Sequence, residues 1–362
     1  MSLIKLDIIA GARPNFMKIA PIIDALKDVE DRIKYRLIHT GQHYDERMSG
    51  SFFKELGIPS PHVNLGVGSG TQAEQTAKIM IGYEALLSEA LADCCLVVGD
   101  VTSTMACSIV AKKMGLKVIH VEGGIRSYDL SMPEEINRMV TDSITDIFYT
   151  TSLVANENLR RLGHPEEKIR YVGNTMIDTL LKHMARFRKP EIWFELNLQP
   201  KAYFVMTLHR PANVDEENKL KALIDEVVHG ALGMPVVFPV HPRTAKILKQ
   251  LGIQAKNLYM IEPLGYLEFN YLVKHAFAVI TDSGGITEET TVMKVPCMTL
   301  RDNTERPETI SLGTNELVGT APENIAPFMA KLHSGSWKKG EIPELWDGKT
   351  GIRIVKDLLS GK

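Results

Sequence analysis

Leu6-Asp7-Ile8-Ile9-Ala10-Gly11-Ala12-Arg13-Pro14-Asn15-Phe16-Met17-Lys18-Ile19 is the stretch that decides the fold. A short apolar run rich in β-branched residues gives way to a glycine turn. A proline-marked amphipathic segment then runs from Phe16 to Lys27, which reads as strand, turn and helix. Working outward, the same unit recurs through the first half. Strands are expected at Tyr35 to Thr40, Cys95 to Gly99, Val118 to Val121, Ile147 to Tyr149 and Ile169 to Val172, with helices such as Gln72 to Ala92 and Thr104 to Met114 between them. Strands alternating with helices imply a parallel sheet covered on both faces. A helix from Met176 to Arg186 and a polar stretch with Pro190 and Pro200 interrupt the pattern. It restarts at Tyr203 to Thr207, Val236 to Val240, Leu258 to Ile261, Ala278 to Thr281 and Cys297 to Leu300. The expectation is an α/β protein of two doubly wound, Rossmann-like domains, 1–173 and 174–345, facing a cleft. A last helix within 346–362 is free to pack back on the first domain.

Composition narrows the partners. With Lys+Arg 42 against Asp+Glu 44, the formal net charge of -2 supplies no field to recruit nucleic acid or an anionic membrane. No export signal and no run of about 18 apolar residues is present, so a cytoplasmic protein is expected. The four cysteines, Cys94, Cys95, Cys107 and Cys297, show no C-x-x-C spacing. H-E-x-x-H, an EF-hand loop and a Walker A loop are absent too, so neither a metal nor a cofactor is expected.

Doubly wound sheets bind ligands beyond the carboxyl ends of their strands, so the residues just after each strand carry the functional reading. Gly11-Ala12-Arg13-Pro14-Asn15 with Lys18 offers two cations and a helix N-terminus suited to a diphosphate. Val98-Gly99-Asp100 places a carboxylate at the next strand end, either as a cleft-facing acid or as a helix cap. His120-Val121-Glu122-Gly123-Gly124-Ile125-Arg126-Ser127 adds Glu122, with paired glycines that would let backbone approach a ligand. Pro133-Glu134-Glu135-Ile136-Asn137-Arg138 adds Glu134, which taken singly would only complement a helix dipole. Together, three acids at one edge fit proton transfer, where neighbouring carboxylates acquire split pKa values. In the second half His209 follows one strand, and Asp282-Ser283-Gly284-Gly285-Ile286-Thr287-Glu288-Glu289 follows another. Ser283, Gly284 and Gly285 would donate to phosphate, and Glu289 would accept from two ribose hydroxyls. Arg301 and Arg306 follow a third strand.

These blocks, in order with Gly173-Asn174-Thr175 and Arg301-Asp302-Asn303-Thr304-Glu305-Arg306-Pro307-Glu308, resemble the non-hydrolysing UDP-N-acetylglucosamine 2-epimerases over nearly the whole chain. The resemblance implies the glycosyltransferase B type of two-domain fold, a UDP-sugar substrate held in the cleft, a homodimer and no redox cofactor. It also implies inversion at C2 by removal of the C2 proton and expulsion of UDP, through a 2-acetamidoglucal, followed by re-addition. By motif, Asp100, Glu122, Glu134 and His209 resemble the catalytic residues. Arg13, Lys18, Ser283, Gly284, Gly285, Glu289 and Arg306 resemble the UDP contacts, and Phe269 the ring beside uracil.

Three departures from the common bacterial pattern are visible: Arg210-Pro211-Ala212-Asn213 after the histidine, Leu264 at the uracil side, and the Gly66 to Thr71 loop, although Gln42 and His43 are kept. They resemble the branch that includes archaeal epimerases and enzymes acting on UDP-2,3-diacetamido-2,3-dideoxyglucuronate; a C6 carboxylate would call for Arg126, Arg138 or Arg210, and UDP-N-acetylglucosamine remains the first expectation. A glycosyltransferase of the same architecture and a non-catalytic UDP-sugar sensor are the rivals from other classes.

Overall fold

The computed structural model describes residues 3–41, 55–240, 245, 248, 252–253 and 255–361. The chain forms two compact units, Met1–Lys182 with Glu344–Lys362, and His183–Pro343. The helix Thr175–His183 therefore lies with the first unit up to Lys182, and the division falls between Lys182 and His183.

The first unit holds a seven-stranded sheet of β1 (Ile4–Ala10), β2 (Ile33–His39), β3 (Val63–Asn64), β4 (Cys94–Val98), β5 (Lys117–Val121), β6 (Ile147–Thr150) and β7 (Ile169–Tyr171). Its order is β3-β2-β1-β4-β5-β6-β7 and every pairing is parallel. Strand order reverses between β1 and β4, so a crevice is expected beyond their carboxyl ends. The second unit repeats the winding with β8 (Phe204–Thr207), β9 (Val236–Pro239), β10 (Leu258–Ile261), β11 (Ala278–Thr281), β12 (Cys297–Thr299) and β13 (Asn315–Leu317), ordered β10-β9-β8-β11-β12-β13 and again parallel throughout. The expected doubly wound pair is thus present. The edge strands β3 and β13 are the two that the sequence pattern missed, being only two and three residues long.

Alternation along each strand builds two cores per sheet, because successive side chains point to opposite faces. In the second unit Phe204, Met206, Val236, Phe238, Ala278 and Ile280 bury one face against Leu220, Leu223, Ile224 and Val227 of the helix Glu217–Gly230. Tyr203, Val205, Val237 and Val279 bury the other against Trp193, Leu272 and Val273. In the first unit Ile9, Cys95, Val97 and Val118 share a core with Tyr83, Leu87 and Cys107.

The C-terminal helix Thr350–Ser360 completes the first unit against the helix Arg13–Leu26. Pro21 sits inside the latter helix and has no N–H for the carbonyl of Met17. Thr179 Oγ1 donates to that carbonyl at 2.6 Å. Beside it, a Cβ on Gly351 would lie 2.4 Å from the Pro21 carbonyl oxygen, so glycine is what allows the two helices to meet. Among the described residues no helix is long and apolar enough to cross a membrane.

Candidate active site

At the carboxyl edge of the first sheet the structure gathers acids with cations already in place. Glu122 follows β5 in left-handed backbone (φ 71), a conformation that is an outlier for a bulky residue and that marks sites held by their surroundings. Its N–H donates to the Tyr149 carbonyl at the end of β6. Its buried carboxylate receives Lys18 Nζ at 2.7 Å. Lys18, expected on a diphosphate, is therefore bound to Glu122. Asp100 carries an ion pair with Arg138, and its backbone carbonyl accepts from Asn137 Nδ2 at 2.8 Å. A Cβ on Gly99 would lie 3.1 Å from Lys18 Nζ and 3.9 Å from Glu122 Oε2, which shows how closely the β4 and β5 turns converge.

The turn after β1 is less open to an anion than its sequence suggests. Asn15 Oδ1 accepts from the N–H groups of Gly11 (3.1 Å) and Ala12 (3.0 Å), while Asn15 Nδ2 donates to the Val98 carbonyl. Those donors stitch β1 to β4. Arg13 opens the helix, but its side chain lies outside the described residues, as do Gln42 and His43.

The helix Pro133–Ile144 is built inside out. Its buried positions are Glu135, Asn137, Arg138, Thr141 and Asp142, while Ile136 and Met139 are exposed. Glu135 accepts from the N–H groups of Ser127 and Tyr128 and from Arg138. Glu134 is exposed in the first turn. Asp142, which the sequence reading passed over, receives His120 Nδ1 at 2.6 Å and the Gly124 N–H at 3.0 Å, with Arg126 Nη2 2.7 Å away. Burial works to raise its pKa, but His120 and Arg126 outweigh burial and hold it below the usual carboxylate range. The paired glycines are required by this packing. A Cβ on Gly123 would meet Phe148 at 2.7 Å, and one on Gly124 the Ala155 carbonyl at 2.4 Å.

The second unit's edge is organised around Asp282, fully buried after β11. It accepts from the backbone N–H groups of His209 (3.0 Å) and Arg210 (2.9 Å) and from Asn213 Nδ2 (3.1 Å), and it faces His209 Nδ1 at 2.7 Å. Burial raises its pKa, yet His209 and the two backbone donors bring it below the ordinary value. With Nδ1 engaged, the His209 ring is 61% exposed and presents Nε2 outward. The departure Arg210-Pro211-Ala212-Asn213 thus supplies an anchor, since Asn213 also donates to the Leu300 carbonyl.

Ser283 is the N-cap of the helix Gly284–Met293, and its hydroxyl makes no capping bond. The first turn of that helix, with Gly284 and Gly285, is an anion-binding geometry. Glu289 is buried one turn on. Burial pushes its carboxyl up to about 7, against the Tyr266 hydroxyl that donates to it at 2.9 Å. Arg306 is ion-paired to Glu288, and Arg210 lies 3.6 Å from Glu305. Phe269 and Leu264 are half-buried against one apolar cluster. Among the described residues no group of three or more His, Cys, Asp or Glu is arranged to hold a metal ion.

Comparison with known proteins places the chain in a family. The family model for UDP-N-acetylglucosamine 2-epimerase matches residues 25–359. The chain belongs to the UDP-N-acetylglucosamine 2-epimerase family. It is 42% identical to the UDP-N-acetylglucosamine 2-epimerase of Methanocaldococcus jannaschii, covering 99% of this chain and 100% of that one. The crystal structure of the M. jannaschii enzyme in complex with UDP-GlcNAc and UDP superposes with a TM-score of 0.88 at the same identity, over 99% of this chain and 100% of that chain. The UDP-2,3-diacetamido-2,3-dideoxy-D-glucuronate 2-epimerase of Pseudomonas aeruginosa is 36% identical over 89% of this chain and 90% of its own. Membership in the family agrees with the resemblance read from the motifs.

Proposed function

We propose that this protein is an isomerase that inverts C2 of UDP-N-acetylglucosamine to give UDP-N-acetylmannosamine. The observation that carries the reading is the pair of carboxylates at adjacent strand ends, Glu122 on Lys18 and Asp100 on Arg138, in a chain 42% identical to an enzyme of that name. A C2 hydrogen is weakly acidic, so its removal needs a base held in its ionised form. A neighbouring cation provides that. The reaction we assign is elimination of UDP with loss of the C2 proton, then protonation from the opposite face and re-addition of UDP. Asp100, Glu122 and Glu134 are the acids available for the proton steps.

Leaving-group charge develops on the diphosphate as the C1–O bond breaks. In this reading the Gly284–Gly285 helix start, the Ser283 hydroxyl, Arg13 and His209 Nε2 receive that charge. Arg306 and Lys18 contribute at longer range, since each is bound to its own carboxylate. Glu289 takes the ribose hydroxyls, and Phe269 lies along uracil. The protein is further proposed to work in the cytoplasm as a homodimer, which light scattering tests; the exposed Ile136 and Met139 are apolar surface open to a second copy.

The engagement of the arginines favours N-acetylglucosamine over the diacetamido uronate. Arg126 is taken by Asp142 and Arg138 by Asp100 and Glu135, while Arg210 lies on the Asp282 carbonyl and near Glu305. Incubation with UDP-N-acetylglucosamine in D2O is expected to give the manno epimer with deuterium at C2. Absence of both products sinks the reading, and turnover of the uronate alone transfers it to the other branch. A glycosyltransferase would need an acceptor and would leave the C2 hydrogen unexchanged.

A further inference from the structure

His120 lies on β5 with no exposed surface, two residues before Glu122. Both of its ring nitrogens are engaged: Nε2 at 2.8 Å from the Gly99 carbonyl oxygen, and Nδ1 at 2.6 Å from Asp142 Oδ1. A carbonyl only accepts, so Nε2 carries a proton. At Nδ1 the proton belongs either to the ring or to the carboxyl. Asp142 also accepts the Gly124 N–H and stands 2.7 Å from the Arg126 guanidinium. Resting on the proposed epimerase reaction, we infer that His120 is the positioning residue that fixes the Asp100 turn against the Glu122 turn.

Its reach explains the role. Through Gly99 it grips the peptide that precedes Asp100, whose own carbonyl is held by Asn137. Through Asp142 it grips the Gly123-Gly124 turn that follows Glu122, and a Cβ on Gly123 would lie 3.4 Å from Nδ1. One buried ring thereby spaces two carboxylates. Its surroundings hold Asp142 and Arg126 on one side, with His164 in their field, and Lys18 with Glu122 beside Gly99 on the other.

The test is kinetic and uses the full chain: His120→Gln is expected to lower kcat by roughly 10- to 100-fold, as misplacement of reacting groups does, with KM and UDP affinity near wild type. Unchanged kcat overturns the positioning role. Asp142→Asn keeps the shape but weakens the grip on Nδ1, so kcat is expected to fall in the same way with KM near wild type; an unchanged kcat there breaks the link through Asp142. Unmutated protein that does not epimerise UDP-N-acetylglucosamine defeats the reaction assignment instead.

Discussion

The two sheets are wound alike, yet their carboxyl edges handle charge in opposite ways. In the first unit the buried acids sit on cations: Lys18 on Glu122, Arg138 shared by Asp100 and Glu135, and His120 with Arg126 on Asp142. In the second unit one carboxylate, Asp282, is held by four donors, and a second, Glu289, is left under-compensated with its carboxyl raised to about 7. An edge that keeps acids ionised suits proton removal. An edge with an exposed imidazole, an uncapped helix start and a reluctant carboxyl suits a ligand that brings its own negative charge and its own hydroxyl donors.

The largest effect is expected where the first edge is discharged. Asp100→Asn or Glu122→Gln should lower turnover about 100-fold or more while changing UDP affinity little, read by C2 deuteration and by calorimetry. Wild-type turnover in either would remove that residue from the proton steps. Next comes the anchor of the second edge. Asp282→Ala leaves two backbone N–H groups and the Asn213 amide without their buried acceptor, so a loss of about 1–3 kcal/mol is expected in thermal or urea unfolding, with a loose His209 and lower kcat. An unchanged melting curve would mean that the unit relaxes around the gap.

The smallest effect sharpens the comparison most. Because Glu289 has a folded-state pKa near 7 against an ordinary 4.5, the folded protein binds the extra proton between those values. Its contribution to stability is therefore present at low pH and falls as pH rises from about 4.5 to 7. UDP affinity is expected to run the other way if, as proposed, the ionised carboxylate accepts from both ribose hydroxyls. Calorimetry from pH 6 to 8 should show binding strengthening through about pH 7, and Glu289→Gln should flatten that slope. A slope that survives in the variant assigns it to another group.

The strands, their parallel sense and the positions of Asp100, Glu122, His209 and Ser283 just beyond them were legible because period and turn chemistry are local properties. What was not legible depends on who meets whom. Gly123 and Gly124 were read as a ligand approach, and their fit to Phe148 and the Ala155 carbonyl could not be read from the sequence. Gly11 and Ala12 looked like phosphate donors, and Asn15 takes both. Asp142 was invisible as a partner of His120, although a signal existed. Glu135, Arg138 and Asp142 recur at helical spacing where a core stripe would be apolar, with Ile136 and Met139 displaced to the outside. A polar stripe of that period marks a helix facing buried charge.

The return of Thr350–Ser360 to the helix Arg13–Leu26 also sets an order of assembly. The second unit is continuous in sequence, whereas the first is closed only by Glu344–Lys362. On the ribosome, every residue of the second unit is therefore made before the segment that seals Pro21 and Gly351 together. The first unit, despite emerging first, is the last to be finished.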